Sequence, residues 1–220
     1  MKAMVLAAGF GKRMLPLTND LPKPLLAIKD KPMIEYHIEA LVASGVSDIV
    51  INHAHLGGKL ETALGDGERF GIKISYSKEQ EPLETAGGII KALPLLGDDP
   101  FIVVNGDVWT DYPFQRLFDK GDKLAHLVMV NNPEHNPVGD FLLRSDGLLQ
   151  SELSADQGVA LTFSGISLLS PQLFEGFSEG ALALKKPLLD AMQKQQVSAE
   201  HYIGNWTDVG TPQRLAELNQ

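Results

Sequence analysis

The chain has 220 residues, 44% hydrophobic and 21% charged, with no cysteine. That excludes a disordered or fibrous chain, disulfides, thiolate metal sites and a cysteine nucleophile. Nineteen Lys and Arg against 28 Asp and Glu give a formal net charge of −9, which argues against a nucleic-acid partner, since such binding needs a basic footprint.

Residues 4–8 form a short apolar run feeding a glycine-rich turn, which predicts a buried first strand. Over 33–43, Ile34, Ile38, Leu41 and Val42 share one face of a helix closed by Gly45. Strands are predicted at 48–52 and 72–76, with a short helix at 60–64 between them. A helix over 85–96 then leads to an almost wholly apolar strand at 101–104, ending in Asn105-Gly106-Asp107. This alternation predicts an α/β fold, a parallel sheet with crossover helices on its faces. The second half is richer in strands, at 124–130, 140–144 and 161–169, with helices returning at 184–193 and at 211–218, where Pro212 sits in the first turn. There is no linker, repeat or low-complexity tract, so a single domain over 1–220 is expected. The opening MKAMVLAAGFGKRM is interrupted too early for a signal peptide, and no run of about 18 apolar residues could span a membrane. A cytoplasmic protein without a membrane partner is the expectation.

Ligands of open parallel sheets sit beyond the carboxyl ends of the strands. Two motifs fall there: the loop from Ala8 to Arg13 and the Asn105-Gly106-Asp107 turn. The loop offers backbone N–H groups at Gly9 and Gly11 and two cations, which suits a phosphate. It is neither of the common phosphate motifs. The dinucleotide fingerprint needs glycine where Met14 stands, and a P-loop ending at Gly11-Lys12 needs glycine at Leu6 and Ser or Thr at Arg13. A plain turn with solvated Lys and Arg remains the alternative on the loop alone.

The continuation narrows this. Arg13-Met14-Leu15-Pro16-Leu17-Thr18 and Leu21-Pro22-Lys23-Pro24-Leu25 follow the loop, and LAAGFGKRMLPLT…PKPL as a whole resembles the signature of the sugar-1-phosphate nucleotidyltransferases. With Asn105-Gly106-Asp107 and Trp206-Thr207-Asp208-Val209-Gly210-Thr211, the resemblance runs along essentially the whole chain. It implies a Rossmann-like, mostly parallel mixed sheet of the nucleotide-diphospho-sugar transferase fold, with a nucleotide-binding half over 1–110 and a sugar-binding half over 111–220. The C-terminal β-helix domain of larger relatives is expected to be absent.

The family's reaction joins a nucleoside triphosphate to a sugar 1-phosphate and releases pyrophosphate, so the work is positioning and charge neutralisation. By resemblance, Ala8, Gly9 and Gly11 cradle the nucleotide, Arg13 holds the β- and γ-phosphates, and Lys23 reaches the α-phosphate and the sugar phosphate. Asp107 and Asp208 would hold Mg²⁺, an ion that takes a few carboxylates plus water and phosphate oxygens. Their alternative is two aspartates capping helices. Glu81-Pro82-Leu83-Glu84-Thr85-Ala86-Gly87-Gly88 matches the base-reading turn, with Glu84 and Gly88 facing a pyrimidine. Glu84 fits an N-cap carboxylate equally well.

Sugar binding is expected from Asn105, Gly139, Asp140 and Ser164, the last standing where relatives carry Asn. The usual Glu-Lys-Pro of the sugar site is not recognisable, and Glu152 is a weak substitute for it. His53 and His55 read as structural, while Trp109 and Trp206 either wall the sugar pocket or simply pack. Within the family, PLETAGG, NGDVWTDY and TFSGIS imply UTP and N-acetylmuramic acid 1-phosphate as substrates. Mannose-1-phosphate guanylyl transfer and glucose-1-phosphate thymidylyl or uridylyl transfer are the alternatives. A silent sugar-nucleotide sensor would have no need of Arg13, Lys23, Asp107 and Asp208 together. A monomer or small homo-oligomer is expected. The acidity of the chain is compatible with these anionic substrates, because residues 1–31 carry six cations (Lys2, Lys12, Arg13, Lys23, Lys29, Lys31) against two acids (Asp20, Asp30).

Overall fold

The computed structural model describes residues 1–81, 83–152 and 158–220. The first half of the chain reads β1 (Lys2–Leu6), β2 (Ala27–Ile28), β3 (Lys31–Pro32), α1 (Met33–Ala43), β4 (Asp48–His53), α2 (Gly57–Leu64), β5 (Lys73–Lys78), α3 (Glu84–Leu96) and β6 (Phe101–Asn105). The second half reads β7 (Val108–Thr110), β8 (Ala125–Val130), β9 (Phe141–Arg144), β10 (Leu149–Gln150), β11 (Gly158–Leu169), α4 (Lys185–Gln193), β12 (Val197–His201), β13 (Trp206–Asp208) and α5 (Pro212–Leu218).

A nine-stranded mixed sheet forms the frame, in the order β10-β9-β11-β6-β1-β4-β5, with β8 joining β11 and β12. The strands β6, β1, β4 and β5 run parallel, while β11 is antiparallel to β6, β8 and β9. The alternation of side chains across a strand sorts the core into two layers. Met4, Val50 and Val103 pack with Ile89 of α3 and Leu188 of α4, whereas Val5, Ile51 and Val104 pack with Ile38 of α1 and Leu60 of α2. Burial on both faces is why the central strands are continuous apolar runs.

The long strand β11 changes partners along its length. Its first residues pair with β9, and its last pair with β6 and β8. The change is made at a bulge between Phe163 and Ile166, where Gly165 has φ +81°. Bulges of this kind bend a strand and re-aim its side chains. Here a Cβ on Gly165 would stand 2.6 Å from Nδ2 of Asn105, so the glycine lets β11 lie under the Asn105 side chain.

The predicted elements recur with shifted ends. β1 stops at Leu6 because the Ala7 N–H turns to Oδ1 of Asn52, 2.9 Å away. Gly45, with φ +86°, closes α1 as expected, and Thr211 caps α5 by accepting from the Arg214 N–H. The short ribbon of β7 and β13 and the strand β12 were not expected.

Candidate active site

The loop after β1 carries Ala8, Gly9 and Gly11. The N–H groups of Ala8, Gly9 and Phe10 donate to none of the described residues, which leaves them available to a ligand. Gly11 adopts φ +61°, and a Cβ there would lie 2.9 Å from Cγ2 of Thr18 and 3.3 Å from Cβ of Lys23. Thr18 donates to the Gly11 carbonyl at 2.9 Å, folding the loop back on Lys23. Arg13, exposed in the following 3₁₀ turn, directs its guanidinium to Gly210.

Lys23 is itself buried, at 8% exposure, in a turn between Pro22 and Pro24. Its Nζ lies 2.6 Å from Oδ2 of Asp107. Asp107 stands just beyond β6, where the Gly106 N–H donates to the Leu6 carbonyl and ties the ends of β6 and β1 together. The ribbon of β7 and β13 then brings in Asp208. It pairs Asp208 with Val108, and the Val209 N–H donates to the Asp107 carbonyl at 2.7 Å. Asp208 is held on one side by Arg214 of α5, with Nη1 2.5 Å from Oδ2. Its Oδ1 is buried and makes no hydrogen bond among the described residues, although Nε2 of His135 lies 3.1 Å away.

An unsatisfied buried carboxylate oxygen is costly. Together with Asp107, it makes a donor set suited to a hard divalent cation completed by phosphate oxygens. Among the described residues, no three Asp, Glu, His or Cys converge into a cage that would hold a metal without such a ligand.

A cleft of about 290 Å³ opens beside this cluster, lined by Ala8, Gly9, Lys23 and Asp107 at one end and by Glu79 and Glu84 at the other. Its floor rests on a buried pair. Nδ2 of Asn52 donates to Oε1 of Glu79 at 2.7 Å, and the remaining Glu79 oxygen accepts from the Leu83 N–H at 3.3 Å. Gly88 sits against that pair, and a Cβ would fall 2.6 Å from Oε1 of Glu79 and 2.9 Å from Nδ2 of Asn52. Glu84 is exposed at the rim with φ +56°, and its side chain caps nothing in α3. Pro82 of the same turn lies outside the described residues.

A second cavity, also about 290 Å³, continues from the first and shares Thr85 and Asn105 with it. Asp140, Phe141 and Phe163 form its β side, and Leu184, Lys185 and Leu188 its helical side. Asp140 is committed to the frame, accepting from the Phe163 N–H at 2.8 Å and from Nδ2 of Asn136 at 3.1 Å. The Gly139 N–H donates to the Asn136 carbonyl at 3.2 Å. Ser164, only 1% exposed, accepts from the Ile166 N–H within the β11 bulge.

The helical side of this cavity is fastened to α3. The Leu182 N–H donates to the Leu83 carbonyl, and the Leu182 carbonyl accepts from the N–H groups of Ala86 and Gly87 at 2.9 and 3.1 Å. Two of the free N–H groups at the start of α3 are thereby satisfied by the chain. A Cβ on Gly87 would overlap the Gly180 carbonyl.

The remaining residues noted in the sequence pack. His53 is buried against Glu61, with Nε2 2.7 Å from Oε1, and His55 lies beside Phe10. Trp109 joins the cluster around Met14 and Val209, and Nε1 of Trp206 donates to the Ser164 carbonyl. Glu152 is exposed and lines neither cavity.

Residues 2–141 match the family model of nucleotidyl transferases. The chain is 49% identical to the N-acetylmuramate alpha-1-phosphate uridylyltransferase of Neisseria meningitidis serogroup B, over 99% of this chain and 96% of that protein. The chain belongs to the nucleotidyl transferase family.

Within that family it is a sugar-1-phosphate nucleotidyltransferase. It is also 33% identical to the mannose-1-phosphate guanylyltransferase catalytic subunit beta of Xenopus tropicalis, over 96% of this chain but only 62% of that protein. A Bacillus anthracis structure assigned as a glucose-1-phosphate thymidylyltransferase superposes with a TM-score of 0.85, covering 100% of this chain and 94% of that one at 22% identity. At that identity the likeness speaks for the fold. The nucleotidyltransferase fold accounts for the sheet order and for the cleft at the strand ends.

In this nucleotidyltransferase, Ala8, Gly9, Lys23, Glu84, Asn105 and Asp107 line the first cleft, and Asn105 and Asp140 the second. Arg13 and Asp208 meet at Gly210, where a Cβ would come within 3.3 Å of Nη1 of Arg13 and 2.9 Å of Oδ2 of Asp208. Sequence reasoning missed Asn52, Glu79, His135, Lys185 and Arg214. For Asn52 there was one usable signal, a polar residue near the end of an apolar strand. Among the described residues no helix is long and apolar enough to cross a membrane.

Proposed function

We propose that this nucleotidyltransferase transfers the uridylyl group of UTP to N-acetylmuramic acid 1-phosphate, giving UDP-N-acetylmuramic acid and pyrophosphate, with Mg²⁺ as the metal ion. The choice of substrates rests on the end-to-end likeness to the meningococcal protein at 49% identity, against 33% for the guanylyltransferase. A cytoplasmic role in peptidoglycan recycling follows from these substrates. In this reading residues 1–110 bind the nucleotide and 111–220 the sugar.

The chemistry is an in-line displacement. An oxygen of the sugar phosphate attacks the α-phosphorus of UTP, the bond from that phosphorus to the bridging oxygen breaks, and pyrophosphate leaves with the electron pair. The free N–H groups after β1 receive phosphate oxygens, and the Arg13 fork takes the β- and γ-phosphates, where negative charge grows as pyrophosphate departs. Lys23 exchanges Asp107 for an α-phosphate oxygen and for the incoming sugar phosphate, bringing two anions together. Its burial strengthens that attraction by excluding water. Asp107 and Asp208 would hold Mg²⁺, which would supply further charge neutralisation. Glu79, fixed by Asn52, forms the polar floor beneath the base, and Gly88 leaves room for that pair. Glu84 extends a carboxylate at the rim, chemically suited to accept the N3–H of uracil.

The test is a panel of UTP, dTTP and GTP against N-acetylmuramic acid 1-phosphate, N-acetylglucosamine 1-phosphate, glucose 1-phosphate and mannose 1-phosphate, followed by pyrophosphate release. The expected best pair is UTP with N-acetylmuramic acid 1-phosphate. Best turnover with GTP and mannose 1-phosphate overturns the assignment.

A further inference from the structure

N-Acetylmuramic acid differs from N-acetylglucosamine by a lactyl ether, which brings one carboxylate. A site that selects it therefore needs a cation that the phosphates do not already occupy. Two lysines line the joined cavities. Lys23 is paired with Asp107 and faces the phosphate end. Lys185 lies on the far wall of the second cavity, and its side chain makes no hydrogen bond or ion pair with the described residues. Its neighbour Lys186 is oriented differently, with Nζ 5.7 Å from the centre of the Phe177 ring.

We propose that Lys185 is the specificity-determining residue for the acceptor, binding the carboxylate of an acidic sugar 1-phosphate. The proposal rests on the substrate assignment above and adds the group that would read it.

Three features of the cavity support this role. With the sugar phosphate at Lys23 and Asp107, the ring extends past Asn105 and Thr85, the residues common to both cavities, and toward α4. Lys185 reaches that space from a fixed backbone, because Leu182, three residues earlier, is bonded to Leu83, Ala86 and Gly87 at the start of α3. The acid on the opposite wall, Asp140, accepts from the Phe163 N–H and from Asn136, and among the described residues it forms no ion pair with Lys185. Since the carboxylate takes no part in bond making, the contact is formed equally in the ground state and the transition state. It should therefore appear in KM rather than in kcat.

The experiment compares N-acetylmuramic acid 1-phosphate with N-acetylglucosamine 1-phosphate, at saturating UTP, for the unaltered enzyme and for Lys185→Met and Lys185→Arg. A charge-assisted contact open to solvent predicts roughly a tenfold rise in KM for the acidic sugar in Lys185→Met, with kcat kept. The neutral sugar should be unaffected, and Lys185→Arg should retain most of the preference. An undiminished preference in Lys185→Met, or an equal loss on both sugars, overturns the role of Lys185 and leaves the substrate assignment standing. If the unaltered enzyme does not prefer the acidic sugar, the substrate assignment fails and the proposal fails with it.

Discussion

Nζ of Lys23 stands 2.6 Å from Oδ2 of Asp107, joining segments 84 residues apart in sequence. The pair is asymmetric. The lysine side chain is 10% exposed and the aspartate 38%, so the cation is enclosed while its partner faces the cleft. An ion pair half open to solvent contributes no more than about 1 kcal/mol to stability. The pair holds an enclosed cation at the edge of the cleft, where the proposed function brings the phosphates.

Lys23→Met, Asp107→Asn and Asp208→Asn should therefore each lower kcat/KM by roughly 100-fold or more, the scale for removing a group that stabilises developing charge. Denaturation midpoints should move little. Pyrophosphate release at fixed UTP, beside urea denaturation of each variant, separates the two effects. Near-normal turnover in both aspartate variants at ordinary Mg²⁺ would sink the assignment of these residues.

Gly88→Ala should damage the floor of the nucleotide cleft. The added methyl meets Glu79 and Asn52 at 2.6 and 2.9 Å, and both are buried, at 4% and 3% exposure. Overpacking of this kind costs about 1–3 kcal/mol. The KM for UTP should rise roughly tenfold as the pair is pushed toward the base, by the same energy scale. Calorimetric titration with UTP would measure the loss directly, and unchanged affinity would remove the base from this end of the cleft.

Glu84→Gly should stabilise the fold and weaken it as a nucleotide site. A non-glycine residue at φ +56° carries a backbone cost of about 1 kcal/mol, and glycine relieves it. Among the described residues the Glu84 side chain makes no hydrogen bond or ion pair that would repay that cost, and Glu84 lines the cleft. Strain of this sort persists where a side chain is wanted in one direction. The expected result is a gain of up to about 1 kcal/mol in urea denaturation with a several-fold higher KM for UTP. A gain in stability with UTP affinity intact would show that the carboxylate is not used.

Two buried histidines make the protein sensitive to acid. Burial lowers both His37 and His126 to about 4, and the hydrogen bond of His37 to the Val108 carbonyl only partly opposes it. In the unfolded chain both titrate near 6.5, so between pH 6.5 and 4 the unfolded state binds more protons than the folded one. Stability is therefore fully present above pH 6.5 and is lost as the pH falls toward 4, on the order of 3 kcal/mol per histidine. His126→Phe also removes a buried Nε2 that has no hydrogen-bond partner among the described residues, and should flatten about half of this limb in denaturation series between pH 7 and 4.5.

The sequence already marked the residues proposed for the phosphate end of the site, because phosphate chemistry needs glycines, Arg, Lys and Asp at strand ends, and strand ends show as breaks in apolar runs. Gly11, Lys23 and Asp107 were legible for that reason. Arg214 and His135 were not, because their proximity to Asp208 comes from the β7–β13 ribbon, whose strands are three residues each and are set by tertiary pairing rather than by any local pattern. β12 escaped notice for a related reason. Val197 and Ala199 alternate with polar residues over only five positions, too few to read without β8 alongside. Lys185 stands in a Lys-Lys-Pro run whose two lysines are exposed and resemble any solvated helix start, and only its place on the cavity wall distinguishes it.

The hydrogen bonds of Leu182 to α3 are made by its main-chain N–H and carbonyl, while its side chain packs against the core. Exposed Ala181, Ala183 and Lys185 can thus change in identity while the segment stays anchored, with Leu184 kept in the core and Gly87 keeping the space against the Gly180 carbonyl. Acceptor preference can diverge through exchange of this short stretch, with the machinery for the nucleotide inherited intact. Grafting 181–185 between relatives is accordingly the smallest transplant expected to redirect which sugar is activated.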